Sequence, residues 1–578
     1  MKQTYFVNTS KDNNRFIRFL SCIPLMRSVK LFFIAALMMP LVWSCDFLEY
    51  SELEQFDRDD VFHEFGRSKN VLSNIYSYLP DDFTTINDAM RSSASDDAVH
   101  EWRLNPVHKF NDGTWSANAP IDARWDHYYK GIRTANLFLD EIEGETFEQI
   151  RWNDDYFQLL EQFQHWPYEA RFLRAFYHFE LIKRYRNVPL VTSVLTTEEV
   201  NDLNPSSFDN VMAFIVSEMD QISPNLPDTY TAVFGQETGR ITRGAALALK
   251  SRALLYAASP LHNPGNDAAK WTAAAQAAKD LIDELGSQYT PLPAYQDIVN
   301  NLNSRELILE RREGDSRRFE EANTAAGFVG GNTGTCPTLN LVNSYQMQAT
   351  GLGIDEAGSG YDPDNPYDGR DPRLAATVLF NGSTWKGQTV EIWNGGQNAP
   401  PRLHATVTGF YLRKYLREAV SLDPFNPSTG AHNWVIFRYG EILLNYAEAM
   451  NEAYGPEATG AGNLNLTALA AVNIIRERAE MPDFAGGMSQ DAFRERLRNE
   501  RRVELAFEDH RFWDIRRWMI GDATTDIYGV EITRVAEDQY NYVTRLVETR
   551  VWNDRMNLYP IPQTERFLNP NLGQNPGW

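Results

Sequence analysis

The chain has 578 residues, a formal net charge of −23, and 12% aromatic residues, 14 of them Trp. So acidic a chain repels phosphate backbones, and no basic stripe offsets the charge, which excludes nucleic acid as a main partner. Of its three cysteines only Cys336 lies beyond residue 45, which excludes a disulfide scaffold.

In chain order, the first element is an address. Arg27 and Lys30 precede an apolar stretch from Leu31 to Trp43, then Ser44 and Cys45. The stretch has the length of a signal-peptide h-region and is too short to span a bilayer. Basic flank, apolar run, small residue and cysteine in this order resemble a bacterial lipoprotein signal. Cys45 is then expected to be the lipidated N-terminus of the processed chain. Trp43 departs from the pattern, since a small residue is usual there. Translation is expected to start at Met26, because Met1 would give an unusually long segment before the apolar run. Residues 1–44 thus read as leader and signal peptide, and residues 45–60 as an acidic tether. Loss of six basic and one acidic side chain with residues 1–44 takes the remainder from −23 to −28. Beyond the tether, 61–300 and 301–578 read as two regions.

The body is dominated by the helical period. Trp125, Tyr128, Tyr129, Ile132, Ala135, Leu139 and Ile142 recur at three- and four-residue steps within 122–143, and Phe172, Ala175, Phe176, Phe179, Ile182 and Tyr185 do so within 168–185. Further helices are expected at 207–222, 242–258, 267–285, 435–453, 466–479 and 491–507. Asp267 reads as an N-cap and Gly286 as a C-terminal cap. Alanine-rich faces on consecutive helices (Ala245, Ala246, Ala248, then Ala274, Ala275, Ala277) suit a stacked helix-pair solenoid, although no clean 34-residue repeat is present.

Between about 312 and 431, and again over 81–120, the helical period fails and Gly, Asn, Asp and Pro are dense. Long irregular segments in compact proteins are usually functional. They carry Trp102, Trp115, Tyr361, Tyr367, Trp385 and Trp393. An aromatic face stacks on the C–H face of a sugar ring while neighbouring polar groups bond its hydroxyls; the competing role is plugging a loop onto the core. Metalloprotease, serine-hydrolase, Walker and Cys-x-x-Cys motifs are all absent from the sequence. The histidines show no metal-ligand spacing, and Asp362, Asp364 and Asp368 do not fit a calcium loop. No cofactor and no metal are expected.

Several ordered motifs point to one family. They are Arg171-Phe-Leu-Arg-Ala-Phe-Tyr-His-Phe-Glu180 with Arg186-Asn-Val-Pro-Leu190, Ala248 through Pro260, Arg370-Asp-Pro-Arg-Leu374, Arg438 through Ala449, Glu500-Arg-Arg-Val-Glu-Leu-Ala-Phe-Glu508 with Arg511 through Trp518, and Tyr559-Pro-Ile-Pro562 with Gln574 through Trp578. Together they resemble the SusD/RagB-type outer-membrane lipoproteins of Bacteroidetes. The resemblance implies an all-α fold, a tetratricopeptide-like helix-pair superhelix with long irregular loop inserts. It implies a non-catalytic, outward-facing, lipid-anchored protein that captures oligo- or polysaccharide and hands it to a SusC-like TonB-dependent β-barrel transporter. In starch-binding members the loop matching Ser95-Asp-Asp-Ala-Val99 carries a ligand-contacting acid, which makes Asp96 and Asp97 candidates. Arg171, Arg174, Glu500, Arg501 and Glu504 are expected to form ion pairs between helices. Asp509 stands where many members have Gly, in a turn that would be left-handed. Oligopeptide capture with the same transporter, a lipid-anchored glycoside hydrolase, and pure scaffolding are the alternatives.

Overall fold

A computed structural model describes residues 58–83 and 85–578. Cys45 and the tether to residue 57 lie outside them. The chain divides into units 1–61 and 62–578, and the second is the folded body.

Eight helices form the spine of this body: α1 (Phe65–Tyr76), α2 (Trp125–Glu141), α3 (Trp166–Tyr185), α4 (Phe208–Ile222), α5 (Arg243–Ala258), α6 (Ala268–Tyr289), α7 (Tyr439–Tyr454) and α8 (Ala468–Arg478). Each packs on the next in chain order, which is the helix-pair superhelix expected of the sequence. Ser207, Thr242, Asp267 and Thr467 each cap a helix by accepting an N–H of its first turn. Helices α9 (Gln490–Glu504) and α10 (Arg511–Arg517) follow. No helix among the described residues is long and apolar enough to cross a membrane.

Two expectations need correction. Gly286 does not end α6, which continues to Tyr289. Its role is proximity: a Cβ there would stand 2.8 Å from the Tyr439 hydroxyl of α7, so only Gly admits that approach. Nor does a helix begin at Val435, because 435–438 close strand β4 (Gly430–Arg438), which pairs antiparallel with β2 (Leu307–Ser316). The apolar run Trp434 to Phe437 is buried on both faces of that ribbon, and such a run has no period that separates strand from helix.

The remaining strands are small inserts. Strand β1 (Ala98–His100) pairs with β3 (Thr335–Pro337), so the two irregular regions meet. Near the C-terminus β5 (Asp526–Ala536) and β6 (Gln539–Thr549) form an antiparallel hairpin.

The motif residues converge on one buried ion network. Arg438 contacts Glu306, Glu504 and Glu508, each at 2.7 Å. Arg373 meets Asp371 at 2.7 Å, Glu500 at 2.6 Å and Glu504 at 2.8 Å. Arg476 meets Glu500, Arg478 meets Glu306 and Glu504, and Lys414 meets Glu508. These cations, Arg373, Lys414, Arg438, Arg476 and Arg478, face equally many carboxylates, Glu306, Asp371, Glu500, Glu504 and Glu508, so the buried charge balances. Burial alone would raise the Glu504 carboxyl, but Arg478, Arg438 and Arg373 together hold it well below its ordinary value. Arg171 and Arg174 pair with Glu218, and Arg501 with Asp514, also between helices.

Acid should therefore unfold the protein in two stages. Burial pushes His100 and His262 down to about 3 and His178 to about 4. His178 is held neutral, its Nδ1–H donating to Arg174 O at 2.8 Å and its Nε2 accepting Val191 N–H at 3.2 Å. Glu180 and Glu448 sit at about 2, because Lys183 with Arg184, and Arg517, outweigh the upward push of burial. All are depressed in the fold, so their contribution is complete above the ordinary value and lost as pH falls toward the folded one. The melting temperature should drop first below pH 6.5, the ordinary histidine value, and again below 4.5, that of glutamate. A melting temperature unchanged from pH 7 to pH 4 would contradict the histidine assignment.

Candidate aromatic binding surface

The eight residues singled out in the sequence fall into two groups. Asp96 and Asp97, just before β1, are turned inward. Asp96 meets Arg511 at 2.8 Å and Arg502 at 3.1 Å, and Asp97 meets Arg502 at 2.7 Å. Burial would raise the Asp96 carboxyl, but Arg502 and Arg511 hold it well below its usual range. The two acids thereby tie β1 to α9 and α10. Trp115 is enclosed by Trp578 at 4.5 Å, Phe110 at 4.8 Å and Tyr559 at 5.2 Å between ring centroids. Trp385, on a short hairpin strand where it pairs with Gln388, is equally buried, with Arg413 over its ring. These four offer solvent almost no surface.

Trp102, Tyr361, Tyr367 and Trp393 are half-buried. Trp102 follows β1; its indole N–H donates to Asn332 O at 2.9 Å, and beside it Glu101 meets His404 at 3.1 Å. The other three gather at the β5–β6 hairpin. Tyr367 stacks on Phe380 at 4.3 Å and presents its edge to Tyr542 of β6 at 5.7 Å. Tyr542 neighbours Tyr540 at 6.4 Å on the same face of the strand. Tyr540 pairs across the hairpin with Arg534 of β5, whose guanidinium lies 5.4 Å from the Trp393 ring centroid. The Trp393 loop is fixed to β5 by Asn394, whose N–H donates to Ile532 O and whose side chain donates to Glu531, both at 2.8 Å. Tyr361 has Arg370 5.7 Å from its ring.

The result is a continuous open run, Tyr367, Tyr542, Tyr540, Arg534 and Trp393. The segment 324–334 links it to Trp102, because Asn398 donates to Ala326 O at 2.7 Å and Trp102 to Asn332 O. Arg534, Tyr540 and Tyr542 escaped sequence reasoning. Their signal was present: Tyr540, Tyr542, Thr544 and Leu546 alternate in a run rich in strand formers, after a polar turn at Glu537-Asp538. A separate cavity of about 320 Å³ lies between α2, the segment 189–203 and the C-terminal residues, lined by Trp125, Tyr129, Val191, Leu203, Leu568 and Leu572. None of the eight residues reaches it.

Comparison with known proteins places this architecture. The SusD family profile matches residues 306–578, and a second, described as starch-binding associating with outer membrane, matches 46–255. The chain belongs to the SusD family. A SusD-like protein of Bacteroides fragilis is 28% identical, with a TM-score of 0.75 over 91% of this chain and 99% of that one. A SusD-like carbohydrate binding protein of the same species is 26% identical, with a TM-score of 0.69 over 89% and 100%. A SusD-like protein of Formosa agariphila is 25% identical over 82% of this chain and 84% of its own. In SusD terms, Asp371, Arg373, Arg438, Glu500, Glu504 and Glu508 of the buried ion network come from the motifs that carried the resemblance, and Glu306, Lys414, Arg476 and Arg478 complete it from outside them. Asp509 occupies its turn at φ +60. That Asp contributes more than Gly could: it meets Arg91 at 2.6 Å and accepts the Trp513 indole N–H at 3.0 Å.

Proposed function

We propose that this protein is a non-catalytic glycan-binding lipoprotein, held at the outer membrane through Cys45, that captures oligosaccharide and passes it to a SusC-like TonB-dependent transporter. The observation that carries the reading is the open aromatic run at the β5–β6 hairpin. Tyrosine and tryptophan rings there expose apolar faces beside hydroxyl, guanidinium and amide groups, the combination that sugar rings require. The SusD-like relative from Bacteroides fragilis described as carbohydrate binding supports it. Within the predicted set, Trp102, Tyr361, Tyr367 and Trp393 are the ligand-facing members, and Asp96, Asp97, Trp115 and Trp385 hold the loops that present them.

Titration calorimetry against a panel of neutral and acidic oligosaccharides tests the reading. Affinities of about 1 μM to 1 mM, or about −8 to −4 kcal/mol, suffice for a receptor tethered beside its transporter. The −28 charge favours a different cargo, cationic peptide, whose binding would weaken steeply with salt. Silence toward every glycan together with salt-sensitive peptide binding would transfer the assignment to that reading. Release of reducing ends during the titration would replace it with a hydrolase.

A further inference from the structure

Two aromatic side chains are displayed where the folded body begins. Trp152 is 83% exposed and Phe157 is 82% exposed. They flank the start of a short helix, Tyr156–Phe163, at the end of the segment that follows α2. This segment is fixed. Phe147, held in a left-handed turn (φ +50), is buried with its ring 5.3 Å from Phe65 and 4.8 Å from Phe163. Glu145 accepts the N–H groups of Thr146 and Phe147 and pairs with His63. The Tyr156 hydroxyl donates to Thr146 O at 2.9 Å and its ring lies 5.4 Å from Phe157. Arg151 covers one face of Trp152 at 5.0 Å and pairs with Glu148 at 3.1 Å.

His63 and Phe65, which hold this segment, are within a few residues of the end of the tether. Residues 46–57 can extend at most about 40 Å, so a lipid on Cys45 keeps this corner within reach of the bilayer. Exposed indole and phenyl groups of this kind partition into the membrane interface. Among the charges around them, Glu148, Asp154 and Asp155 outnumber Arg151, so attraction to anionic headgroups does not drive the contact.

We propose that Trp152 and Phe157 form a second, apolar membrane contact that works with the Cys45 lipid and sets the orientation of the body on the bilayer. A lipid attached at one point of the chain holds the body at the membrane without fixing its orientation; a second contact restricts it. The inference rests on the lipid-anchored reading of Cys45.

The test uses the full lipidated chain in phosphatidylcholine vesicles, with and without brominated acyl chains. The difference in emission between wild type and Trp152→Phe isolates this one indole. Bromination should quench the difference signal roughly twofold, as for an indole at the interface, and 0.5 M salt should leave it unchanged. A difference signal with equal intensity in both vesicles would overturn the proposal. So would protection of Trp152 from an aqueous quencher that appears only in outer-membrane preparations and not in pure lipid, which would assign the corner to a protein partner. Trp152→Ser with Phe157→Ser should still float with vesicles but lose orientation, read as a broadened distance distribution between the bilayer and a dye on the opposite face. Flotation of Cys45→Ala separates the two readings. If that variant floats like wild type, the lipid assignment fails and this inference falls with it; if only the quenching is missing, the inference fails alone.

Discussion

Replacing Arg438 with Ala should lower the thermal stability of the whole body by about 3–5 kcal/mol, the cost of removing one partner from a buried ion pair. The side chain is 1% exposed and serves three carboxylates. Without it Glu306, Glu504 and Glu508 crowd around the remaining cations, with no water to replace the lost donors. Arg438→Ala with Glu508→Gln should recover part of the loss, since one of the stranded charges is then removed. The exposed pair Lys130–Asp126, at 2.7 Å, provides the contrast: Lys130→Ala should melt with wild type, because solvent and salt already screen it. A thermal melt followed by circular dichroism decides the matter. An Arg438→Ala chain melting with wild type would show that the network is not a unit of stability.

The same network shows what could be read from the sequence. Arg373, Arg438, Glu500, Glu504 and Glu508 lie in short charged motifs spread over more than a hundred positions, and of these Glu500 and Glu504 were expected to form ion pairs between helices. Their meeting was not legible, because pairing across 66 or 132 positions, as in Arg438 with Glu504 or Glu306, has no local signal. Helices α2, α4 and α6 were legible because an amphipathic period survives wherever one face is buried, whereas α3 and α5 are buried on nearly every side and were marked by apolar spacing and alanine content. The period misled where burial is complete on both sides, at Trp434 to Phe437, and where Gly serves close packing rather than termination, at Gly286. In the loops composition marks where the aromatic residues lie in the chain but not how each is oriented. Trp115 and Trp393 sit in similar polar surroundings in sequence, yet the C-terminal Trp578 and Tyr559 enclose the first, while the second stays half-buried with an Arg of the β5–β6 hairpin over its ring.

That difference in enclosure makes the aromatic residues separable by experiment. Trp393→Ala and Tyr542→Ala should each weaken oligosaccharide binding about fivefold, or about 1 kcal/mol of stacking, with little change in melting temperature. Both rings are half-exposed, and their loss leaves no sealed cavity. Trp115→Ala and Trp385→Ala should do the reverse, lowering stability by about 3–5 kcal/mol through the cavities they leave. Any folded fraction should still bind. The double variant Trp393→Ala with Tyr542→Ala should lose about 25-fold if the two rings contact separate sugar units and act additively. A smaller loss would mean that they grip the same unit. Arg534 lies between them, so Arg534→Ala, which frees the Trp393 indole while sparing every aromatic face, should weaken binding less than removal of either ring. Binding that survives all of these changes and disappears with Trp102→Ala would move the site from the hairpin to the surface beside β1 and leave the hairpin to another partner.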